Sequence, residues 1–150
     1  MRKLLKNKPL VLVLLALLLF GIYNLIWLLL IQIRYHDFIE ATPKSIAGSY
    51  ITTKDGDVYN LKIPDYLHFT GNLGIVSEGR EESLIVWPKI FGGYDYGIIL
   101  NKDGQTYEIY VNEKMELIDK EDENSQKLLK DNKAAVDELI SKADDMWNIK

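Results

Sequence analysis

The sequence predicts an α+β membrane protein with one N-terminal transmembrane helix, an antiparallel β-meander of about six strands, and a C-terminal amphipathic helix packed against the sheet. Residues 9–33 form an apolar run with no ionisable side chain, and residues 48–118 alternate strand-like segments with turn sequences. From residue 126 onward, apolar side chains recur at steps of three and four, which is typical of an amphipathic helix. The predicted organisation is an N-terminus (1–8), a membrane helix (9–33), a stalk (34–47) and an external binding domain (48–150).

The apolar run has the length of a single membrane span. Its 25 residues would extend about 37 Å as a helix, against roughly 30 Å of bilayer hydrocarbon. A cleaved signal peptide is the alternative, because Ser45-Ile46-Ala47 forms a small-x-small pattern before Gly48. That pattern begins well beyond the run, and the run is longer than the apolar region of a signal peptide. An uncleaved anchor is therefore the favoured interpretation.

The charges that flank the run predict its orientation. Only Arg34 follows it closely, whereas four cations precede it: Arg2, Lys3, Lys6 and Lys8. The positive-inside rule then places the N-terminus in the cytoplasm and residues 35–150 outside the cell. We therefore expect a single-pass protein of the cell membrane with an external C-terminal domain.

Three side chains within the run are unusual for a span that faces only lipid. Tyr23 and Trp27 lie inside the run rather than at its ends, where interfacial aromatic residues concentrate. Asn24 is polar and lies between them. Two interpretations remain open: a tolerated polar residue, or a contact between this face and a neighbouring helix.

The external part is acidic and contains no cysteine. Residues 34–150 hold 14 Lys/Arg and all 22 Asp/Glu, a formal charge of −8. This charge argues against binding nucleic acid or anionic lipid headgroups, and it fits either a basic protein partner or simple solubility. A chain without cysteine has no disulfide, no thiol chemistry and no zinc site built on cysteine. An external domain without disulfides suggests a bacterial source.

Turn sequences define the predicted strands. Asp55-Gly56 and Asp103-Gly104 are strong hairpin signals between flanking apolar segments. The stalk lacks a strong strand signal and could begin as an extension of the membrane helix, and Pro43 disfavours a helical conformation at Thr42. Strand-like segments cover residues 49–53, 58–63, 66–76, 83–87, 94–100, 105–111 and 115–118.

No pattern in the sequence predicts an enzyme, a cofactor or a metal site. His36 falls in the stalk and His68 in a predicted strand, and neither belongs to a catalytic motif. The acidic clusters do not match the ligand spacing of a calcium loop. An envelope hydrolase remains an alternative, because the separation of two catalytic carboxylates depends on tertiary structure.

Aromatic residues are the better functional signal. Within 24 residues lie Trp87, Phe91, Tyr94, Tyr96, Tyr107 and Tyr110. A single helix covers only one face of a sheet, so the uncovered face, bordered by acidic turns, is predicted to bind a protein partner. The alternative role for part of these rings is to fill the core. The predicted contact residues are Glu78, Glu81, Glu82, Trp87, Tyr94, Asp95 and Tyr96.

The C-terminal half resembles the TipC-type immunity proteins. The resemblance covers roughly residues 71–148 and rests on SLIVWPKIFGGYDYG from Ser83, YEIYVN from Tyr107, and a helix that ends in Met146-Trp147-Asn148. Members of that family are small membrane-anchored proteins of Gram-positive bacteria that neutralise LXG-domain toxins delivered by type VII secretion. The resemblance implies an external toxin inhibitor without catalytic residues. An accessory or sensor subunit of a membrane complex is the alternative function.

Overall fold

The computed structural model describes residues 8–77, 79 and 81–149 and confirms the predicted α+β class. A long helix α1 (Lys8–Arg34) and a short helix α2 (His36–Ala41) precede a sheet of six strands. The strands are β1 (Tyr50–Lys54), β2 (Asp57–Lys62), β3 (Asn72–Ser77), β4 (Glu82–Pro88), β5 (Tyr94–Lys102) and β6 (Gln105–Val111). The C-terminal helices are α3 (Glu123–Asp131) and α4 (Lys133–Trp147).

The sheet is a meander in which each strand pairs antiparallel with the next. Both predicted hairpin turns form, with positive φ at Asp55 (55°), Gly56 (84°), Asp103 (52°) and Gly104 (74°). Positive φ at both central residues matches the right-handed twist of the flanking strands. Loops alternate between the two ends of a meander. We call the end with loops 63–71 and 89–93 the near end and the end with the hairpin turns the far end.

Helices cover only one face of the sheet. Along β4, buried Leu84 and Val86 alternate with half-buried Ile85 and Trp87, as expected when a strand has one core face and one outer face. The covered face packs on α2 and α4 to form the core, whose buried members include Leu73, Ile75, Leu84, Val86, Ile98, Ile109, Val111, Val136, Leu139, Ala143 and Trp147. The opposite surface, which we call the outer face, has no helix on it.

The segment predicted as a stalk contributes to this core instead of acting as a spacer. Tyr35 and Phe38 are buried in the core cluster. The Tyr35 hydroxyl accepts a hydrogen bond from the Gly71 N–H (2.9 Å), and burial raises the pKa of Tyr35. Thr42 is buried and its Oγ1 accepts a hydrogen bond from Trp147 Nε1 (2.8 Å). The domain that contains the sheet is therefore joined to α1 without a free linker.

Two segments predicted as strands have other conformations. Residues 66–70 form a loop against α1, in which Leu67 has φ of 67° and cannot extend as a strand. Met115 also has positive φ (60°), and only Leu117 bridges back to Val111. Nothing in the sequence predicts positive φ at Leu67 or Met115, because neither is a residue type that favours this conformation.

The predicted C-terminal helix is broken into α3 and α4 at Asn132. The Asn132 side chain donates a hydrogen bond to the Leu128 carbonyl oxygen (2.8 Å), competing with the helical backbone pattern. The break lets α3 approach β6 while α4 packs on β4. The apolar face of α4 is buried through Val136, Leu139 and Ala143, so the predicted packing of this helix on the sheet is confirmed.

A buried ion pair ties α4 to the β1–β2 hairpin. Asp57 follows the hairpin turn, and its side chain is 4% exposed. Lys142 Nζ lies 2.5 Å from Asp57 Oδ2 and 3.2 Å from Glu138 Oε1. The hydrogen bond to the Asp57 carboxylate raises the pKa of Lys142. A charge this deeply buried is tolerated only with its counter-ion in place.

Replacing Lys142 by methionine should lower the free energy of unfolding by about 3 kcal/mol, because the buried Asp57 carboxylate would lose its ion pair with Lys142. Urea unfolding of the full-length protein in detergent micelles measures this loss. Lys133→Met is the matched control, since Lys133 lies on the same helix and pairs with solvent-exposed Asp137; it should cost less than about 0.5 kcal/mol. Equal losses for the two variants would contradict this account of the buried pair.

Candidate functional site

The outer face carries a stacked aromatic pair built across three strands, beside the β6 edge of the sheet and toward its near end. Trp87 of β4 and Tyr110 of β6 lie on either side of Gly97 of β5, which pairs with Ile85 and with Tyr110. The two rings stack with centroids 5.7 Å apart and an interplanar angle of 29°. A Cβ at Gly97 would lie 2.5 Å from the indole Cη2. Because Gly97 has no side chain, the indole can lie flat on the sheet.

Aliphatic side chains extend this pair across the sheet. Val58 and Val76 are directly opposite each other, and Ile85 and Ile99 occupy neighbouring positions on β4 and β5. We call the following set the outer-face patch: Ile51, Val58, Val76, Ile85, Trp87, Ile99 and Tyr110. Its members are half-buried or exposed, with Tyr110 46% exposed. A flat apolar surface that includes tryptophan and tyrosine is typical of protein-binding sites.

Carboxylates lie beside the patch. Glu108 Oε2 accepts a hydrogen bond from the Tyr110 hydroxyl (2.8 Å), and this bond to a carboxylate raises the pKa of Tyr110. Asp95 Oδ1 lies 2.9 Å from Lys89 Nζ, which is also 3.4 Å from Glu113 Oε1. The arrangement offers an apolar centre with acidic groups at one side, a suitable surface for a partner that carries basic residues.

Two predicted contact residues lie on the wrong face. Tyr96 is 5% exposed and belongs to the core, and burial raises its pKa. Tyr94 is half-buried against the same cluster, with the Arg34 guanidinium 4.7 Å from its ring centroid. Strand alternation puts both tyrosines on the side of buried Ile98, opposite Asp95. Their placement on the uncovered face is therefore corrected, whereas Trp87 and Asp95 do lie on it.

The structure also separates the predicted acidic residues from the aromatic ones. Glu81 and Glu82 lie at the far end of the sheet, where the Glu81 carbonyl oxygen accepts the Asn101 N–H (2.8 Å). Trp87 lies five residues further along β4, a distance of about 16 Å in a strand. Glu78 lies outside the described residues. The acidic turn thus lies at the far end of the sheet, away from the aromatic pair, and strand alternation places Glu82 on the side of buried Leu84.

Several members of the outer-face patch are missing from the predicted contact set. Tyr110 is the most prominent, and the others are Ile51, Val58, Val76, Ile85 and Ile99. The signal that identifies them is the register set by the Asp103-Gly104 turn, which pairs Gly97 with Tyr110. Combined with the two-residue period of a strand, that register places Trp87 and Tyr110 on one face.

The described residues contain no group of three His, Cys, Asp or Glu side chains arranged to hold a metal ion. His36 lies 3.4 Å from Glu40 on the solvent side of α2. His68 is exposed in the 63–71 loop. Neither histidine borders the outer-face patch. A separate groove of about 520 Å³ lies between α3, α4 and residues 115–120, and its walls combine apolar side chains with Lys120, Lys130 and Lys133. The chemistry that the outer-face patch itself offers is burial of apolar surface and hydrogen bonding.

In comparisons with models of protein families, with curated proteins and with solved structures, no match to this chain was found. The chemistry of the outer face is then the main guide to function. The stacked rings of Trp87 and Tyr110 are held on β4, β5 and β6. Paired strands give a surface a fixed shape.

Tyr96→Ala should lower the free energy of unfolding by about 3 kcal/mol or more, because it opens a cavity in the core. Tyr110→Ala should cost about 1 kcal/mol or less, since it removes only one half of an exposed aromatic pair. Thermal and urea unfolding of the full-length variants in detergent measure both values. A larger loss for Tyr110→Ala than for Tyr96→Ala would show that the two faces are assigned the wrong way round.

Proposed function

We propose that this protein is a membrane-anchored external immunity protein that binds and neutralises a secreted antibacterial protein toxin. In this proposal α1 crosses the cell membrane once, with the residues before it in the cytoplasm and the domain from residue 35 onward outside. The toxin is blocked by occlusion, which requires affinity and steric bulk but no catalytic group. The outer-face patch is the surface that makes the contact.

The anchoring part is supported by the character of α1. It is 27 residues long, and its most apolar stretch is not buried against the rest of the described chain. The length corresponds to about 40 Å of helix, enough to cross a bilayer with tilt. The orientation is supported by the cations before α1 and by the acidic residues after it.

The single observation that carries the binding part is the uncovered aromatic surface on the sheet. Trp87 and Tyr110 are stacked, and both remain at least partly accessible to solvent. Exposure of such rings has a free-energy cost in water that a partner would remove. The acidic neighbours Asp95 and Glu108 favour a partner with basic residues.

The alternative, an accessory subunit of a membrane complex, is weakened by the contacts of α1. The alternative requires Tyr23, Asn24 and Trp27 to face a helix of another subunit. In the structure these side chains contact the chain's own 63–71 loop. The face that would recognise a neighbouring helix is therefore occupied within the same chain.

Affinity capture tests the proposed function directly. The full-length protein, tagged after Lys150, should recover a secreted toxin from native membranes, identified by mass spectrometry. Trp87→Ala and Tyr110→Ala should each weaken binding of that toxin about tenfold or more, because aromatic residues at the centre of an interface dominate its energy. Measurement by surface plasmon resonance gives the dissociation constants.

Ser141→Ala is the matched control, because Ser141 is exposed on α4, on the opposite side of the sheet from the outer-face patch. It should leave the affinity unchanged. Recovery of multi-span membrane proteins alone, with no secreted protein, would instead favour the accessory-subunit function. Equal weakening by all three substitutions would exclude the outer-face patch as the contact surface.

The acidic surface predicts a salt-dependent association rate. Capture of a basic partner should be fastest at low ionic strength and should slow markedly at high salt, because screening removes long-range attraction. Stopped-flow or resonance measurements of the on-rate at several salt concentrations check this. An on-rate independent of salt would show that the acidic groups serve solubility rather than capture.

A further inference from the structure

The 63–71 loop packs along the upper half of α1. The Tyr23 hydroxyl donates a hydrogen bond to the Leu67 carbonyl oxygen (2.5 Å), and the Tyr66 hydroxyl donates to Asn24 Oδ1 (2.6 Å). Tyr23 meets Phe69 edge-on with centroids 5.2 Å apart, and Trp27 meets Tyr66 at 5.4 Å. The loop therefore lies at the height of Tyr23, Asn24 and Trp27 along the axis of α1.

Helix geometry places this level close to a membrane boundary. From Lys8 to Tyr23 the helix rises only about 22 Å, whereas bilayer hydrocarbon is roughly 30 Å thick. The stretch of α1 below its contacts with the loop is therefore too short to cross the hydrocarbon alone. If Lys8 lies at the inner boundary of the hydrocarbon, the outer boundary falls near Leu28. Tilt of the helix moves that outer boundary to residues beyond Leu28. Tyr66, Leu67 and Phe69 would then lie at or just inside that boundary.

Other loops at the same end of the sheet also expose apolar side chains. Phe91 is 100% exposed at the tip of the 89–93 loop, and Ile90 beside it is exposed. This loop is joined to the top of α1, because Arg34 Nη2 donates a hydrogen bond to the Gly93 carbonyl oxygen (2.8 Å). Ile46 is fully exposed in the turn before β1, which begins at the near end.

We propose that the near end of the sheet is a membrane-contacting surface, with Tyr66, Leu67, Ile90, Phe91 and Ile46 inserted into the outer headgroup and acyl boundary of the bilayer. This inference rests on the anchoring of α1 that is proposed above, and it is independent of the toxin. Lipid is the partner of this surface because α1, the proposed membrane-spanning helix, ends among these loops. The consequence is a domain that is seated on the membrane in one orientation instead of moving freely above it.

The polar groups of the loop suit a partly apolar environment. The Leu67 carbonyl oxygen is paired with Tyr23, and the His68 N–H donates to the Asp65 carbonyl oxygen (2.9 Å). Backbone groups at this depth need such internal partners. Asn24 is satisfied as well, because its Nδ2 donates to the Phe20 carbonyl oxygen (2.7 Å). Aromatic rings with a polar tip are the side chains preferred at this boundary.

The far end has the opposite character. Its turn sequences, KDGD at 54–57, SEGREE at 77–82 and NKDG at 101–104, contain no apolar residue. Among the described residues of those turns, acidic side chains outnumber basic ones, with Asp55, Asp57, Glu81, Glu82 and Asp103 against Lys54 and Lys102. The near-end segments 44–49, 63–71, 89–93 and 112–118 are balanced, with Lys44, Lys89 and Lys114 against Asp65, Glu113 and Glu116. An anionic membrane surface would therefore repel the far end more strongly than the near end.

The absence of cysteine from the sequence makes a single-label experiment clean. Full-length Leu67→Cys and Phe91→Cys variants, each carrying an environment-sensitive fluorophore, are reconstituted in vesicles of phosphatidylcholine and phosphatidylglycerol. Lipids with a nitroxide near the headgroup should quench both labels and their emission should be blue-shifted. Val76→Cys is the matched control, since Val76 is an equally exposed apolar residue away from the near end. Its label, and that of Lys102→Cys at the far end, should respond as in water.

A label at Leu15→Cys within α1 separates the two proposals. If Leu15 is quenched by lipid nitroxides but Leu67 and Phe91 match Val76, the anchor stands and the membrane-contacting surface is wrong. If none of the labels is quenched, the anchoring itself fails. If the Leu67 and Phe91 labels are blue-shifted without quenching by lipid, protein covers the near end, and the assignment to lipid is overturned. Circular dichroism of each labelled variant confirms that the sheet is intact.

Discussion

The attachment of α1 to the near end of the sheet is the constraint on which the rest of the structure depends. Tyr35, the first residue after α1, is 1% exposed, and its hydroxyl accepts the Gly71 N–H. A Cβ at position 71 would collide with the Lys62 carbonyl oxygen, so only glycine permits this approach. With Arg34 bonded to Gly93 one residue earlier, the helix and both near-end loops form one rigid junction.

This junction determines where the outer-face patch would be presented. Strands that start at the near end run away from it, and β5 with its nine residues is about 30 Å long. Gly97, at the centre of the aromatic pair, is three residues from the start of β5, or about 10 Å along the strand. In the proposed orientation the outer-face patch faces sideways, close to the lipid surface. A toxin that works at the outer face of the membrane would be met at that height.

The sequence predicts the local structure well, because both hairpins and α4 depend on short-range signals. The Asp-Gly turns determine register, and the three-and-four spacing of α4 identifies its buried face. The faces of β5 could also have been assigned, since Tyr94, Tyr96 and Ile98 alternate with Asp95 and Gly97. The contacts of Tyr23, Asn24 and Trp27 could not, because they depend on a loop about 40 residues away whose conformation requires positive φ at Leu67.

The exposed apolar residues fall into two sets that suit different partners. Near-end residues such as Phe91 and Ile46 are single side chains at loop tips, which can enter a fluid layer but present no continuous surface. Trp87 and Tyr110 lie side by side on paired strands, and their flat stacked rings match a complementary solid surface. Insertion into lipid depends on how deeply an apolar side chain is buried, whereas binding to a protein depends on complementary shape. Apolar side chains can therefore form both a membrane-contacting surface and a separate protein-binding face. Removing Phe91 should therefore change the orientation of the domain without changing the affinity of the outer-face patch for a dissolved partner.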